Sequence, residues 1–311
     1  MTVDRKTPAA LTLQTSINEF LIMSTLKNYL SLVKFSHTIF AMPFAMIGFC
    51  LAAVQHINFS TNQLVLKFIL VLVGMITARS AAMAFNRYLD RNFDAKNPRT
   101  AIREIPKGII APNSALRFTI LSCILFLISC FFINRICFYL APVALFVVLF
   151  YSYTKRFTPL CHLVLGLGLS LAPIGAYLAV TGRFDILPLL FSFAVIFWVS
   201  GFDIIYALQD VDFDESQHLY SIPVALGKAK GLRVSEMLHL LSAACVIAAG
   251  VYGNFHWLYW VGIFVFIGML VYQHSLVKPN DLSKVNIAFM TANGIASVVF
   301  GVLVIADLLV G

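Results

Sequence analysis

Nine apolar runs of about 20 residues leave this chain one class of fold. Their approximate limits are 36–54, 64–85, 116–133, 136–153, 160–180, 186–208, 236–252, 255–273 and 287–309. About 20 apolar residues in a helix cross the hydrocarbon core of a bilayer, and a lipid-exposed backbone must satisfy its own hydrogen bonds. A soluble core has no use for so many runs of that length. Charged residues are correspondingly scarce, 12% of the chain against about 25% in ordinary soluble domains. The expected fold is therefore all-α, a polytopic membrane protein of nine transmembrane helices. The connections Asn134-Arg135 and Gly253-Asn254 are so short that the runs flanking them read as helical hairpins.

The net charge of +8 would suggest nucleic acid in a soluble protein. Here it sorts by side instead. With a cytoplasmic N-terminus, all 22 Lys and Arg but Lys67, Arg79, Arg135 and Arg183 fall on the cytoplasmic face, as the positive-inside rule requires. No nucleic acid is expected, and nothing points to an obligate protein partner. The six cysteines lie in or beside apolar runs without a Cys-x-x-Cys pair, so they read as small core hydrophobes. The first 30 residues lack the apolar core and cleavage site of a signal peptide. Residues 17–35 read as an interfacial segment. With neither linker nor low-complexity tract, 1–311 reads as one domain whose first 35 residues are cytoplasmic or interfacial.

The two long inter-helix stretches, about 86–115 and 209–235, share the cytoplasmic side, and acidic clusters mark their starts. In the first, Asn86, Asp90 and Asp94 are spaced by four. Each step of four turns a helix by only ~40°, so the three share a face. In the second, Asp203, Asp210 and Asp214 return to within ~20° of one helical face, while Asp212 points away and reads as a solvated or capping carboxylate. Carboxylates beside an amide suit Mg²⁺, which takes oxygen ligands, keeps waters and bridges to phosphates. Two such faces opposed across a cavity would hold Mg²⁺ and, through it, a diphosphate.

The pattern Asn-x-x-x-Asp-x-x-x-Asp, followed by Asn97-Pro-Arg-Thr100, then Asp-x-x-Tyr-Ala-x-x-Asp-x-x-x-Asp, resembles the UbiA superfamily of intramembrane prenyltransferases. Tyr151-Ser-Tyr-Thr-Lys155-Arg156 after the fourth run adds to the likeness. The resemblance implies helices around a central cavity under a cytoplasmic cap, open sideways to lipid, in a bacterial inner membrane. It implies Asn86, Asp90, Asp94, Asp210 and Asp214 as Mg²⁺–diphosphate positions. Asp203 matches the leading aspartate of the second motif, which orients neighbours or contacts the metal shell. Arg99, Arg103 and Lys155 match basic positions that clasp the diphosphate. Arg156 reads equally as ligand or topology determinant. Arg87 and Arg91 read as charge balance or headgroup contacts. Tyr206 and Tyr151 offer rings to an allylic cation, although Tyr151 also fits an interfacial aromatic belt. Lys34 and His37 open the first run, either as interfacial anchors or as contacts for an acceptor carboxylate. His218 and Ser221 would belong to the cap.

The implied reaction is electrophilic aromatic substitution by a polyprenyl diphosphate on an aromatic acid, in quinone biosynthesis. The run 35–44 and His218-Leu-Tyr-Ser-Ile-Pro223 look like the 4-hydroxybenzoate polyprenyltransferase subgroup, and a bicyclic naphthoic acid for menaquinone is the alternative acceptor. A cation-coupled transporter would place its acids near the bilayer midplane in broken helices. A CDP-alcohol phosphotransferase would need a glycine- and arginine-containing run between its aspartates that this chain lacks.

Overall fold

The computed structural model describes residues 26–34, 40–55 and 59–311. After a short helical stretch at 26–32 come α1 (Met42–Gln55), α2 (Thr61–Lys96), α3 (Pro112–Ile133), α4 (Arg135–Thr154), α5 (Cys161–Thr181) and α6 (Ile186–Ala207). A 3₁₀ turn, Leu208–Asp210, leads into α7 (Val211–Ser216) and α8 (Ile222–Leu226). Then follow α9 (Lys228–Tyr252), α10 (Trp257–Leu276), a π turn (Ile287–Ala292) and α11 (Asn293–Val310). Among the described residues no strand forms.

Eight helices are long and apolar enough to cross a membrane. The first expected run appears as α1, only 14 residues or about 21 Å, and residues 36–39 at its start lie outside the described residues. Two other expected limits move. Helix α2 continues to Lys96 before Asn97 caps it, so the first motif is helical throughout and its loop starts later than expected. Helix α9 begins at Lys228, ahead of the expected 236, because a polar turn with Lys228, Lys230 and Arg233 extends the helix beyond its apolar part.

Helix ends follow capping chemistry. Ser60 and Gln63 form a reciprocal capping box at the start of α2, with Ser60 N donating to Gln63 Oε1 at 3.0 Å, which satisfies otherwise orphaned donors. Asn134 caps α4 through Cys137 N at 2.9 Å. Its amide donates across to the carbonyls of Leu178 and Ala179, at 2.8 and 3.2 Å. Lys67 reaches the same place, donating to Ala179 O at 2.7 Å and Ile133 O at 3.4 Å.

The packing core is aromatic. Trp198, Phe44, Phe191, Phe266, Phe300 and Tyr259 are fully buried and mutually in contact where α1, α6, α10 and α11 meet. The Trp198 indole N–H donates to Asn293 Oδ1 at 2.9 Å, and the Asn293 amide donates to Phe289 O at 2.9 Å. That side chain thus satisfies a carbonyl that the π turn frees from the ordinary helix ladder. Helices α1 and α5 touch so closely that a Cβ on Gly48 would stand 2.1 Å from Pro173 O. Facing outward are Leu66, Phe131, Phe132, Phe146, Leu240, Phe264 and Val302, all exposed. An apolar outer surface over a packed interior is what lipid solvation selects.

A two-motif cavity as the candidate active site

The two acidic motifs meet across one cavity of about 420 Å³. Asn86, Asp90 and Asp94 line it from successive turns of α2, and Asp203, Asp210 and Asp214 line it from α6, the 3₁₀ turn and α7. Lys34, Arg99, Arg103, Tyr151, Lys155, Arg156 and Tyr206 line it too. Every candidate drawn from the sequence therefore converges here except His37, which lies outside the described residues. Asp212 points to solvent, with its side chain 92% exposed. In the cap, Ser221 lines the cavity and caps α8 through Val224 N at 3.2 Å, while His218 is exposed.

Each motif carboxylate holds a basic partner. Arg156 pairs with Asp90 at 2.8 Å, Arg103 with Asp94 at 2.6 Å and Lys155 with Asp214 at 2.7 Å. Arg99 grips both oxygens of Asp210, with its Nε 3.0 Å from Oδ1, and donates to the Tyr206 hydroxyl at 2.7 Å. Asn97 donates to Asp210 at 3.1 Å, so the residue that ends α2 also ties the first motif to the second. Asn86 donates to Asp90 at 2.9 Å. The cap is stitched on by Tyr220 N, which donates to Lys155 O at 2.7 Å. Burial works against the Lys155 ammonium, yet Asp214 outweighs it and the pKa rises above the ordinary lysine value. Arg99 rises likewise, burial being overcome by Asp210 and Tyr206.

The donor set fits a hard divalent cation. Asp94 Oδ2 and Asp214 Oδ2 are buried without a hydrogen-bond partner, which is costly unless another ligand satisfies them. Among the described residues no three His, Cys, Asp or Glu side chains form a cage for a metal on their own. The oxygens present suit an ion that completes its shell with water and phosphate, as Mg²⁺ does.

Three basic cavity residues were not among the candidates drawn from the sequence. Arg87, set aside as a charge-balancing or headgroup residue, is instead buried and lines the cavity, with Nε unpartnered. Its neighbour Arg91 does stay outside, donating to Tyr88 O at 2.6 Å. Arg79, also with an unpartnered buried Nε, lines both this cavity and an adjoining apolar one of about 370 Å³. A signal for it existed, since it precedes Asn86 by seven residues, two helical turns on the same face. His162 is buried, and its Nδ1 lies 2.7 Å from Asp203. No local pattern marked it. The apolar cavity is otherwise walled by side chains such as Met75, Phe126, Leu140, Val147 and Leu169. Tyr151 lines both cavities, which places it at their junction rather than in an outer belt.

Residues 41–295 match the UbiA prenyltransferase family. The 4-hydroxybenzoate octaprenyltransferase of Aeromonas salmonicida (strain A449) is 31% identical over 239 residues, covering 76% of this chain and 82% of that protein. The enzyme of the same description from Nitrosospira multiformis is 29% identical over 238 residues, covering 76% and 81%. The apo structure of a UbiA homologue from Aeropyrum pernix K1 superposes with a TM-score of 0.74 at 27% identity, over 88% of this chain and 97% of that one. A UbiA homologue from Archaeoglobus fulgidus bound to GPP and Mg²⁺ has the same fold, with a TM-score of 0.69 at 19% identity over 91% and 100%. A transporter or a CDP-alcohol phosphotransferase is thereby set aside: the chain is an integral membrane protein and belongs to the UbiA prenyltransferase family.

Proposed function

We propose that the chain transfers a polyprenyl group from polyprenyl diphosphate to an aromatic acid, 4-hydroxybenzoate, in quinone biosynthesis. The observation that carries this reading is the adjoining pair of cavities. One is lined by carboxylates and by seven Lys and Arg side chains, and the other is apolar, with Arg79, Met83, Tyr151, Leu165 and Leu169 common to both. A diphosphate suits the first and a polyprenyl tail the second. The reacting carbon then falls at their junction.

Asn86, Asp90, Asp94, Asp210 and Asp214 would hold Mg²⁺, and the fold admits such a complex, since the Archaeoglobus homologue is bound to GPP and Mg²⁺. Bound there, the metal would supply positive charge to the departing diphosphate. Arg99, Arg103, Lys155 and Arg156 exchange their carboxylate partners for diphosphate oxygens as the substrate enters, which offers it forked and point-charge donors. The Tyr206 ring, packed on Phe289 at 4.3 Å between centroids, and the Tyr151 ring present π faces to the allylic cation. Basic residues weight the site's face, which supports a cytoplasmic site with a cytoplasmic N-terminus. The bacterial relatives support an inner-membrane location, and the chain works as one domain over 1–311.

The test is an in-membrane assay with Mg²⁺, labelled octaprenyl diphosphate, and 4-hydroxybenzoate or a bicyclic naphthoic acid in separate reactions. Product from 4-hydroxybenzoate is the expected result. Product from the naphthoic acid alone would move the enzyme to a menaquinone route and overturn the acceptor assignment.

Arg79, which lines both cavities, would meet the acceptor carboxylate; Lys34 lines the acidic cavity from a more exposed position. A hydrogen bond to a charged group is worth about 1.5–3 kcal/mol. Arg79→Leu should accordingly raise KM for the acid by roughly 10- to 150-fold, with KM for the prenyl diphosphate little changed. Equal effects on both substrates would remove Arg79 from that role.

A further inference from the structure

The cavity holds five carboxylates, and one differs from the rest. Asp90, Asp94, Asp210 and Asp214 each hold an arginine or lysine, whereas Asp203 holds a histidine. His162 Nδ1 lies 2.7 Å from Asp203 Oδ2. On the ring's other side the backbone N–H of Ile222, in the cap, points at Nε2 at 3.4 Å. The tautomer that satisfies both contacts carries its proton on Nδ1 and donates it to the carboxylate. Ser200 Oγ donates to the His162 carbonyl at 3.1 Å, which anchors the backbone that carries the ring. The second oxygen of Asp203, Oδ1, accepts a hydrogen bond from no described residue. Its side chain is 25% exposed and lines the reaction cavity.

We propose that Asp203 is the base that takes the ring proton of the acceptor, and that His162 is the positioning residue that aims it. The proposal rests on the prenyltransferase reading of the site. Aromatic substitution breaks the carbon–oxygen bond of the prenyl diphosphate, and diphosphate leaves with the electron pair. A ring carbon then bonds to the allylic carbon. The ring C–H bond breaks last: its electron pair restores aromaticity and its proton goes to Asp203 Oδ1, to leave with water when product departs. The other four carboxylates serve poorly as bases, because each is engaged by a cation or by the diphosphate assembly. The donor on Oδ2 fixes the carboxylate's orientation and leaves Oδ1 open to take the proton.

The experiment measures kcat, both KM values and the kinetic isotope effect with 4-hydroxybenzoate deuterated at the two ring positions beside its hydroxyl. In the wild type the ring proton leaves quickly, and no isotope effect is expected. His162→Ala should lower kcat by about 10- to 100-fold, as loss of an orienting partner does, and should bring a clear isotope effect as proton loss becomes limiting. KM for the prenyl diphosphate should hold. His162→Asn restores an amide donor where Nδ1 stood, and should recover kcat and suppress the isotope effect. Asp203→Asn should cost roughly 10²–10⁴-fold, the ordinary worth of a general base. A purely structural role for His162 would lower kcat with no isotope effect in any variant, and that result would overturn the proposal. Should His162→Ala fail to accumulate, His162→Asn and Asp203→Asn carry the same readout. A wild-type enzyme that makes no prenylated product overturns the reading of the site and this proposal with it. Product with an isotope effect that never changes overturns the base assignment alone.

Discussion

Asp210→Ala is expected to lower turnover by roughly 10²–10³-fold or more, the loss seen when one preorganised electrostatic contact to a developing charge is removed. Asp210 sits on the 3₁₀ turn, 8% exposed, where Asn97 and Arg99 both donate to it. Deleting its carboxylate would remove a proposed metal position and release Arg99 from its place beside Tyr206. Asp90→Ala should behave alike, since Asp90 is held by Asn86 and Arg156. The ion pairs concerned are partly solvated, with side-chain exposures of 31% for Arg99 and 26% for Arg156, so the stability cost stays well below that of breaking a fully buried pair. Membrane insertion and the detergent unfolding temperature are therefore expected to hold while product formation disappears. Near-normal turnover in both variants would sink the metal-site assignment.

Chelation should have an equally large effect. Treating membranes with EDTA is expected to abolish product formation, and added Mg²⁺ to restore it. The reason lies in the charge balance of the cavity. Asp94 and Asp214 each keep a buried oxygen that the protein leaves unsatisfied. A diphosphate would set its own oxygens against four carboxylates, and Arg99, Arg103, Lys155 and Arg156, which pair with those carboxylates, cannot serve both sets of oxygens at once. Divalent ions would satisfy both sets, and a monovalent cation has neither the charge nor the coordination number to do so. Product formed at full rate after exhaustive chelation would contradict this account.

Much of this architecture was legible in the chain. The run of apolar segments gave the helices because lipid leaves few alternatives, and the four-residue spacing of Asn86, Asp90 and Asp94 gave one wall of the cavity because α2 is regular to Lys96. The second wall was reached despite a helix that is not regular: the 3₁₀ turn at Leu208–Asp210 tightens the path between Asp203 and Asp214, and the cavity still gathers all three. Hydropathy misplaced the start of α9 and the end of α2, because both helices continue past their apolar parts on polar residues. Arg79 and Arg87 were passed over for a related reason. A reading built on apolar runs treats a charge inside one as an exception, although burying it demands a function. His162 escaped for a different reason: its partner Asp203 is 41 positions away, and only the packing of α5 on α6 joins them.

Lys67 and Asn134 tie α2, the α3–α4 hairpin and α5 together through carbonyls at Ile133, Leu178 and Ala179, and Ile133 and Leu178 line the apolar cavity at its end remote from the acids. A bilayer that stores energy as an ion gradient tolerates no enzyme that shunts it, and a difference of 100 mV is worth about 2.3 kcal/mol for each charge that crosses. A charged cavity entering from one side is the first half of a conductive path. The second half here is an apolar chamber ending in a hydrogen-bonded stopper, and an unpaired ion stripped of water faces a barrier of tens of kcal/mol in such surroundings. The same hydrogen-bonded end that bounds the apolar cavity would thus keep the protein an insulator.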